Sequence, residues 1–506
     1  MRNFIGMEHL IDRDFAKRTG HRLHAPGCEK SADMYGPMAE ARRLRETYTA
    51  RQPWGSQVDL AWVVCLFECG AIDRERAAKL VAAIRQTWEV SKGSSGEDSL
   101  VEVLGGDMDL ASTVNYGRTL QEPMSRLRLR GMMLDVVDTI VALLETVHRL
   151  AAENLDTIMI GHTHMNHAQP ITYAHFMVAA FDGVMRSLEQ FELAYRYTNQ
   201  NSGGCGSCSG TVWPVDRERM AALLGMDGVV EPTYDCEASQ DHSFALMFAL
   251  SNLGMHLSRY AMNHYIWAFD EFDMIRTHPA MCGVSSFMPQ KCDSGSNYER
   301  VRIAGANIMG STVTAMFQLK GEPHGDVLPA AIDVPAQAIE SMVHAHLGAK
   351  LFDNMLKHTF LQKERMLKIV KAGFSCATEL AAYLIREEGY GGRLAHSIVA
   401  TLVRDAREKG LKSTDLTGEM LDEAAAFLDV RKPGLDTKTV QKCFDPEEFV
   451  KTHKHIGGVA PEENARLLKK RRVQLDEAIA RQKDRRGRVR EGLGMLEREG
   501  DGLMEG

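Results

Sequence analysis

The sequence predicts an all-α protein built on an elongated bundle of long helices. Apolar residues recur at spacings of three and four through long segments, which is the period of a helix with one buried face. Methionine is abundant, with 28 residues, and proline is scarce, with 15, a balance that favours long helices with adaptable packing. Segments that alternate apolar and polar residues over a convincing length are missing, so the sequence gives little support for a parallel sheet.

The elements follow in four regions. Residues 1–114 predict short helices, and Asp73 in "GAID" is a candidate N-cap between two of them. Residues 115–365 predict a central domain of five long helices, the first beginning at Pro123, which suits a first helical turn. The other four cover roughly 171–199, 237–275, 297–320 and 334–360.

Residues 366–460 predict a small C-terminal domain of shorter helices. Residues 461–506 predict a charged helical tail. Its Glu and Asp are interleaved with Lys and Arg, which indicates a solvated helix, with binding of an acidic partner as the alternative.

Composition limits the function classes. The net charge of -8 excludes the overall basic surplus of a nucleic-acid-binding protein. Ten cysteines in 506 residues are too sparse for a disulfide scaffold, so we expect reduced thiols and a cytoplasmic location. The most apolar long segment, "GMMLDVVDTIVALLETV", contains Asp135, Asp138 and Glu145, so a membrane partner is not expected. These totals indicate an enzyme of small molecules.

Polar joints between the long helices hold the candidate functional residues. The joint "GHTHMNHAQP" contains His162, His164 and His167. A histidine beside Thr163 suits acid–base chemistry because imidazole titrates near neutrality. Cysteine and carboxylate ligands at helical spacing are missing from this joint, so we expect no metal. Taken alone, the joint is equally well read as three surface histidines.

Two further joints have weaker signals. "CGSC" at 205–208 lacks the second pair of a zinc site and the βαβ setting of a redox pair. Its glycines miss G-x-G-x-x-G by one residue and follow a helix, so we expect a tight turn and no dinucleotide cofactor. In "GRTLQEP", Arg118, Thr119 and Gln121 precede a helix N-terminus and are suited to hold a carboxylate, although this is also an ordinary loop.

The joint "GVSSFMPQKCDSG", residues 283–295, indicates a mobile loop that closes over a substrate. Lys291 is suited to neutralise an anion that develops during a reaction. A serine without an adjacent histidine is a poor nucleophile, and as a base it needs backbone N–H groups and Lys291 to stabilise its oxyanion. A plain flexible linker is the alternative interpretation.

Several of these joints also resemble a known family. "SSFMPQK" resembles the S-S-x-M-P-x-K-x-N signature of the aspartase/fumarase superfamily, and "GHTHMNHAQPITYAH" is similar to the G-x-T-H-x-Q-x-A-Q-P-I-T segment of its argininosuccinate lyase branch. "GFSCATELAAYLIREEG" and "LAHSIVATLVRDAREKG" also resemble that branch, and the similarity spans roughly residues 10–480. The resemblance implies a three-domain all-α subunit, a homotetramer with a twenty-helix core, and active sites shared by three subunits.

The implied activity is that of a carbon–nitrogen lyase without metal or cofactor, which catalyses β-elimination through an aci-carboxylate and releases fumarate or a similar acid. By the resemblance, Ser285 is the general base, Ser286 is a neighbouring loop contact, and Lys291 holds the substrate carboxylate and stabilises the aci form. The signature asparagine is Asp293 here, a carboxylate that repels a substrate carboxylate if ionised, or faces an ammonium group.

Thr163 and His164 match, by the resemblance, the threonine that binds carboxylate and the histidine of proton transfer or charge support. The family's glutamate partner of that histidine falls at Tyr298, so Glu299 takes this role only if the loop gained one residue.

Departures from the branch concern the substrate. The S-R-N triplet reads Thr119, Leu120 and Gln121, with Arg118 before it, and "HGDVLPAAID" replaces the residues that face an arginine-like half. We therefore expect an N-substituted amino dicarboxylate or related amino acid other than argininosuccinate. A same-fold lyase or cycloisomerase with another leaving group, and a non-catalytic crystallin-like homologue, are the alternatives.

Overall fold

The computed structural model describes residues 32–90, 96–119, 123–278, 281, 287–288 and 295–505. The N-terminal region consists of short helices, as predicted. These are α1 (Ala32–Thr49), α2 (Trp54–Glu68), α3 (Arg74–Val90), α4 (Gly96–Val103) and α5 (Met108–Ser112), followed by a 3-10 turn at Thr113–Asn115. Asp73 Oδ1 accepts a hydrogen bond from the backbone N–H of Arg76 at 2.8 Å, which is the N-terminal cap that the sequence predicts for α3.

The central region contains the five predicted long helices. In chain order its elements are α6 (Met124–Ala152), β1 (Ile158–Thr163), β2 (Asn166–Thr172), α7 (Tyr173–Thr198), β3 (Gln200–Asn201), α8 (Arg217–Leu223), β4 (Gly228–Val229), α9 (Thr233–Ala238), α10 (Asp241–Trp267), β5 (Ile275–Thr277), α11 (Ser296–Leu319), a π-helical turn (Pro329–Asp333), α12 (Val334–Lys357) and β6 (Thr359–Leu361). Helix α10 ends earlier than the predicted residue 275. Asp273 takes a left-handed backbone with φ 47°, and β5 follows and pairs with β6.

The C-terminal region is again helical. Its elements are α13 (Lys363–Ala372), α14 (Ala377–Arg386), α15 (Gly392–Glu408), a 3-10 turn (Ser413–Asp415), α16 (Gly418–Phe427), α17 (Thr437–Cys443), α18 (Pro446–Thr452) and α19 (Pro461–Met504). Among the described residues, no helix combines the length and the apolar character needed to cross a membrane.

In the part of the chain that the structure describes, buried apolar side chains form three clusters. One fills the bundle of α6, α7, α10, α11 and α12, a second packs α2 and α3 against the start of α6, and a third lies within the C-terminal region from Cys376 to Val459. Met366 and Val370 of α13 pack into the bundle cluster, so this helix belongs to the bundle side of the predicted boundary at 366.

Helix α19 corrects the prediction of a solvated tail. Leu468, Leu475 and Ala478 are buried in the bundle cluster, and Leu496 and Leu503 are buried in the N-terminal cluster. The helix therefore runs across both regions and packs on each. Its cations find acidic partners on the bundle itself, through the pairs Arg471–Asp182, Arg485–Glu192, Arg486–Asp135 and Arg486–Asp138.

Candidate active site

The joint that carries Thr163 and His164 is a β-hairpin. Strands β1 and β2 are antiparallel, with Thr163 opposite Asn166, so the turn consists of His164 and Met165. Both turn residues have positive φ, 51° and 62°, as a type I′ turn requires. Non-glycine residues adopt this conformation rarely and at a cost of about 1–3 kcal/mol each, and such strain is common at functional sites. The hairpin thus presents exposed Thr163 and His164 side chains at its tip.

The base of the hairpin is firmly held. Thr172 Oγ1 accepts a hydrogen bond from the backbone N–H of His175 at 3.1 Å and thereby caps α7. A methyl group at Gly161 would lie 2.8 Å from the carbonyl oxygen of Gln169, so only glycine fits the bulge that follows Ile160. Gln169 Nε2 donates to Thr378 Oγ1 of α14 at 3.1 Å, which connects the hairpin to the C-terminal region.

The other two histidines of this joint face each other across the strands. The rings of His162 and His167 lie 5.5 Å apart in an edge-to-face arrangement. Burial lowers the pKa of both imidazoles, and the neighbouring His167 and Arg407 lower the pKa of His162 and His167 respectively. Both rings therefore favour the neutral form. Within the described parts of the chain, no group of three or more His, Cys, Asp or Glu side chains is placed to hold a metal ion.

In the joint before α6, Arg118 is held by groups of its own chain. The Arg118 side chain is 1% exposed and donates to the Asp59 carboxylate and, through Nε, to the carbonyl of Val114 at 2.9 Å. Its guanidinium lies over the Trp62 ring at 5.9 Å. Arg118 therefore holds the joint in place, but its buried Nη1 has no hydrogen-bond partner among the described residues, and its contact with a substrate carboxylate stays a prediction. Thr119 follows it at the end of the described segment.

Sequence reasoning missed Asp59, which is the centre of this buried network. Asp59 accepts from Arg118 through Oδ1 and from Arg51 Nη2 through Oδ2 at 3.1 Å, so one carboxylate binds two guanidinium groups. Trp62 on the next turn of α2 donates from Nε1 to the carbonyl of Tyr116 at 3.0 Å. The available signal was a single carboxylate inside the apolar run "VDLAWVVCLF", because a buried charge requires a partner.

Tyr298 and Glu299, the two candidate positions for the acidic partner of His164, have different surroundings at the start of α11. Tyr298 is fully buried, and its hydroxyl lies 2.7 Å from Thr359 Oγ1. Glu299 is exposed on the first helical turn and accepts a hydrogen bond from the Tyr265 hydroxyl at 2.7 Å. Tyr298 is therefore a core residue, and Glu299 is the available acidic group at this position.

Five predicted site residues lie outside the described residues, namely Gln121, Ser285, Ser286, Lys291 and Asp293. Described residues on the two sides of the joint 283–295 are connected, because Asn297 Nδ2 donates a hydrogen bond to the carbonyl of Met281 at 2.6 Å.

The turn around the two cysteines is confirmed as tight and rich in glycine. Gly204, Gly206 and Gly210 all have positive φ, and the N–H of Gly210 closes the turn onto the carbonyl of Cys205 at 2.8 Å. Cys205 Sγ donates to Glu237 Oε1 at 3.1 Å, and both Cys205 and Cys208 are free thiols.

Known proteins resemble this chain in both sequence and fold. A lyase family model matches residues 70–310, and an argininosuccinate lyase C-terminal model matches residues 374–451. The argininosuccinate lyase of Methanocaldococcus jannaschii is 30% identical over 444 residues, covering 83% of this chain and 87% of the relative. That of Methanothrix thermoacetophila is 28% identical over 446 residues, covering 85% and 89%.

Among solved structures, an EDDS lyase variant with bound fumarate superimposes with a TM-score of 0.86 at 25% identity, covering 94% of this chain and 96% of the other. A class II fumarase from Schistosoma mansoni, with a TM-score of 0.65 at 15% identity over 80% and 90% of the two chains, shares the fold alone. Fold and sequence together define a lyase of the aspartase/fumarase superfamily. Within this class the chain belongs to the argininosuccinate lyase branch and is a carbon–nitrogen lyase.

Proposed function

We propose that the protein catalyses the reversible β-elimination of an N-substituted amino dicarboxylate, with cleavage of the C–N bond and release of fumarate. The observation that carries this proposal is the hairpin tip, where a strained two-residue turn displays Thr163 and His164 in a chain of the argininosuccinate lyase branch. The fumarate bound in an EDDS lyase of the same fold also supports this product.

In the proposed chemistry, the Ser285 oxyanion removes a proton from the carbon beside one substrate carboxylate. The electron pair of that C–H bond moves into the carboxylate and forms an aci-carboxylate, which Lys291 stabilises by its charge. The pair then returns to form the C=C bond of fumarate as the C–N bond breaks. The departing nitrogen takes the bond pair and gains a proton, for which His164 is the candidate acid. Thr163 and Thr119 are candidate contacts for the dicarboxylate, with Gln121 and Ser286.

The test is to incubate the protein with fumarate and a panel of primary amines, and to follow the loss of fumarate absorbance and the mass of the product. We expect addition by the native protein and a loss of about 10²-fold or more in the Ser285→Ala variant, since a positioned base contributes at least this much. Normal turnover by Ser285→Ala would overturn the assigned base, and failure of every amine would overturn the reaction.

We also propose a homotetramer in which several subunits complete each site. Apolar side chains repeat every seven residues on the exposed face of α10, at Phe248, Met255 and Met262, and Ile303 and Phe317 are exposed on α11. A repeat of seven is the pattern of helices that pack side by side in a larger bundle.

The cytoplasmic location expected from the cysteines stays a prediction.

Native mass spectrometry and light scattering test this assembly. We expect four chains in the native protein and smaller species in Phe317→Lys, because the lysine places a charge in the apolar interface. The matched variant Phe427→Lys changes another exposed phenylalanine, 69% exposed in the C-terminal domain, and should keep the tetramer. A native monomer would contradict the proposal.

A further inference from the structure

Two cysteines from separate elements of the central region meet beneath the surface. Cys205 belongs to the tight turn 205–210, and Cys236 lies on α9. The two side chains are hydrogen-bonded to each other, and both are free thiols. Cys205 is 0% exposed and Cys236 is 8% exposed, so a small reagent that comes from solvent reaches Cys236 first.

Arg217 holds the sulfur of Cys236. Its Nη2 donates to Cys236 Sγ at 3.2 Å. The other hydrogen bonds of this guanidinium go to the backbone carbonyls of Gly203, Val230 and Glu231. In the part of the chain that the structure describes, Cys236 is therefore the side chain that Arg217 binds. A guanidinium beside a sulfur favours the thiolate, which is the reactive form of cysteine.

The pKa of Cys236 is shifted in the opposite direction to the pKa values of Cys65 and Cys443. The hydrogen bond with Cys205 and the charge of Arg217 lower the pKa of the Cys236 thiol, although burial acts against them. Burial raises the pKa of Cys65 to about 12 and that of Cys443 to about 11. Near neutrality a larger fraction of Cys236 is therefore thiolate.

Glu237 is placed to take the proton of Cys205. Cys205 Sγ donates to Glu237 Oε1 at 3.1 Å. Burial raises the pKa of the Glu237 carboxyl, which makes its carboxylate a stronger proton acceptor. The cluster thus combines a thiol that favours the thiolate form, a second thiol, and a base beside the second thiol.

Both cysteines lie on elements that contact joints of the expected reaction site. Thr211 and Trp213 follow the cysteine turn and pack so closely on Gly117, in the joint before α6, that an added methyl group there would collide with both. Helix α9 contacts the joint between α11 and α12, since the Tyr234 hydroxyl donates to the carbonyl of His324 at 2.9 Å. A covalent link between the cysteines therefore acts on both joints.

We propose that Cys205 and Cys236 form a redox pair, in which a peroxide oxidises Cys236, Cys205 closes a disulfide, and the disulfide lowers the activity of the enzyme. The loss of activity rests on the proposed function, whereas the oxidation of the pair does not.

Hydrogen peroxide is the oxidant of this reaction, and the two sulfurs supply the electrons. The Cys236 thiolate attacks one peroxide oxygen and breaks the O–O bond, which gives a sulfenic acid on Cys236 and a hydroxide ion. Cys205 passes its proton to Glu237, and its sulfur attacks the Cys236 sulfur and displaces a second hydroxide. That hydroxide takes the proton from Glu237 and leaves as water. The sulfurs lose two electrons in total, and the peroxide gains them.

The disulfide draws the cysteine turn and α9 together. It joins the two sulfurs at about 2.05 Å, whereas the hydrogen bonds of these sulfurs are 3.1 to 3.6 Å long. It also removes the thiolate from Arg217 and the thiol donor from Glu237. The elements beside both joints therefore shift, which is the physical reason for the lower activity.

The first test identifies the oxidised residues. The protein is treated with hydrogen peroxide, the remaining thiols are alkylated, and the peptides are analysed by mass spectrometry. We expect a disulfide between Cys205 and Cys236 that dithiothreitol reverses. The matched control Cys208→Ser, which removes a more exposed thiol of the same turn, should form the same disulfide. In Cys205→Ser, dimedone should label a sulfenic acid at Cys236. A disulfide that includes Cys208, or none, would overturn the pair.

The second test measures the rate at which iodoacetamide alkylates each cysteine of the native protein near neutral pH. We expect Cys236 to react about 10-fold faster than Cys443 or more, although Cys443 is the more exposed of the two. Arg217→Met should slow Cys236 by about threefold or more and leave Cys443 unchanged. If Arg217→Met fails to fold, the comparison within the native protein decides. Equal rates, or a faster Cys443, would overturn the assignment of Cys236 as the thiolate.

The third test follows the addition of an amine to fumarate before and after oxidation. We expect kcat to fall by about 10- to 100-fold in the native protein and in Cys208→Ser, in proportion to the disulfide formed, and to return with dithiothreitol. Cys205→Ser should lose less than about twofold. A disulfide that leaves kcat unchanged would overturn its effect on activity. A disulfide in a protein that adds no amine would uphold the redox pair but overturn the proposed function together with that effect.

Discussion

Two joints at the ends of the central bundle carry candidate site residues, and they are built in opposite ways. At the joint before α6, Arg118 is buried and held by Asp59, the Val114 carbonyl and the Trp62 ring. At the hairpin tip, Thr163 and His164 are exposed, and the backbone is in an unfavourable conformation at both turn residues. In the first joint Arg118 is held by its own chain, whereas the second joint displays its functional groups outward.

The two joints are held in their geometry by different interactions. The joint before α6 owes its geometry to a buried ion network, so changes there should act mainly on stability. The hairpin owes its position to a firm base at Gly161 and Thr172, so changes at its tip should act mainly on activity. An exposed tip also agrees with the proposal that another subunit completes the site.

The largest effect is expected at the tip. His164→Asn keeps a residue that tolerates positive φ but removes the titratable ring, so kcat should fall by about 10²- to 10⁴-fold. The free energy of unfolding should change by less than about 0.5 kcal/mol, as at other exposed positions. Steady-state kinetics and urea unfolding measure the two quantities. A large loss of stability would show that the tip is not separate from the core.

Co-assembly of two inactive variants tests whether the tip serves another chain. His164→Asn and Ser285→Ala are unfolded and refolded together, so that mixed tetramers form. If the two residues of one site come from different chains, some sites in the mixture contain both native residues and activity returns. Activity that stays at the level of the separate variants would place both residues of a site in one chain.

The next effect is expected at the buried joint. Asp59→Asn removes the charge that holds Arg118 and Arg51, and breaking a buried pair from one side costs about 3–5 kcal/mol. Urea unfolding measures this loss. Glu68→Gln is the matched control, because Glu68 on the same helix pairs with Arg219 nearer the surface, where such a pair contributes about 0–1 kcal/mol. Similar losses in both variants would remove the distinction between the joints.

The sequence predicted the long helices well because their apolar period is long and regular. The bounds of α6, α7, α11 and α12 fall within a few residues of the predicted ones. The hairpin was not predicted, since "GHTHMNHAQP" is polar and its strands are held by backbone pairing, which leaves little trace in side-chain patterns. The left-handed turn at His164 likewise has neither the glycine nor the asparagine that usually announces it.

The packing partners of Arg118 and of α19 were not predicted, because they are distant in the sequence. Arg118 is neutralised by Asp59 on α2, and the cations of α19 are neutralised by acidic residues of α6 and α7 nearly three hundred or more positions earlier. The Glu and Asp residues interleaved with Lys and Arg in α19 predicted a solvated helix. In the structure, a buried stripe of leucine and alanine packs this helix against the bundle. The charge pattern alone contains no information about these tertiary partners.

The smallest effects sharpen the contrast in backbone strain between the two joints. Met165→Gly relieves a left-handed residue at the hairpin tip, where glycine is favoured at the second turn position, and should stabilise the protein by about 1 kcal/mol. Gly117→Ala makes the reverse change at the buried joint, where φ is 71° and an added methyl group collides with Thr211 and Trp213. It should destabilise the protein by more than about 1 kcal/mol, since strain and overpacking act together. Urea unfolding of the two variants gives opposite signs if the tip is strained and the joint is closely packed, and equal signs would contradict this account of the two sites.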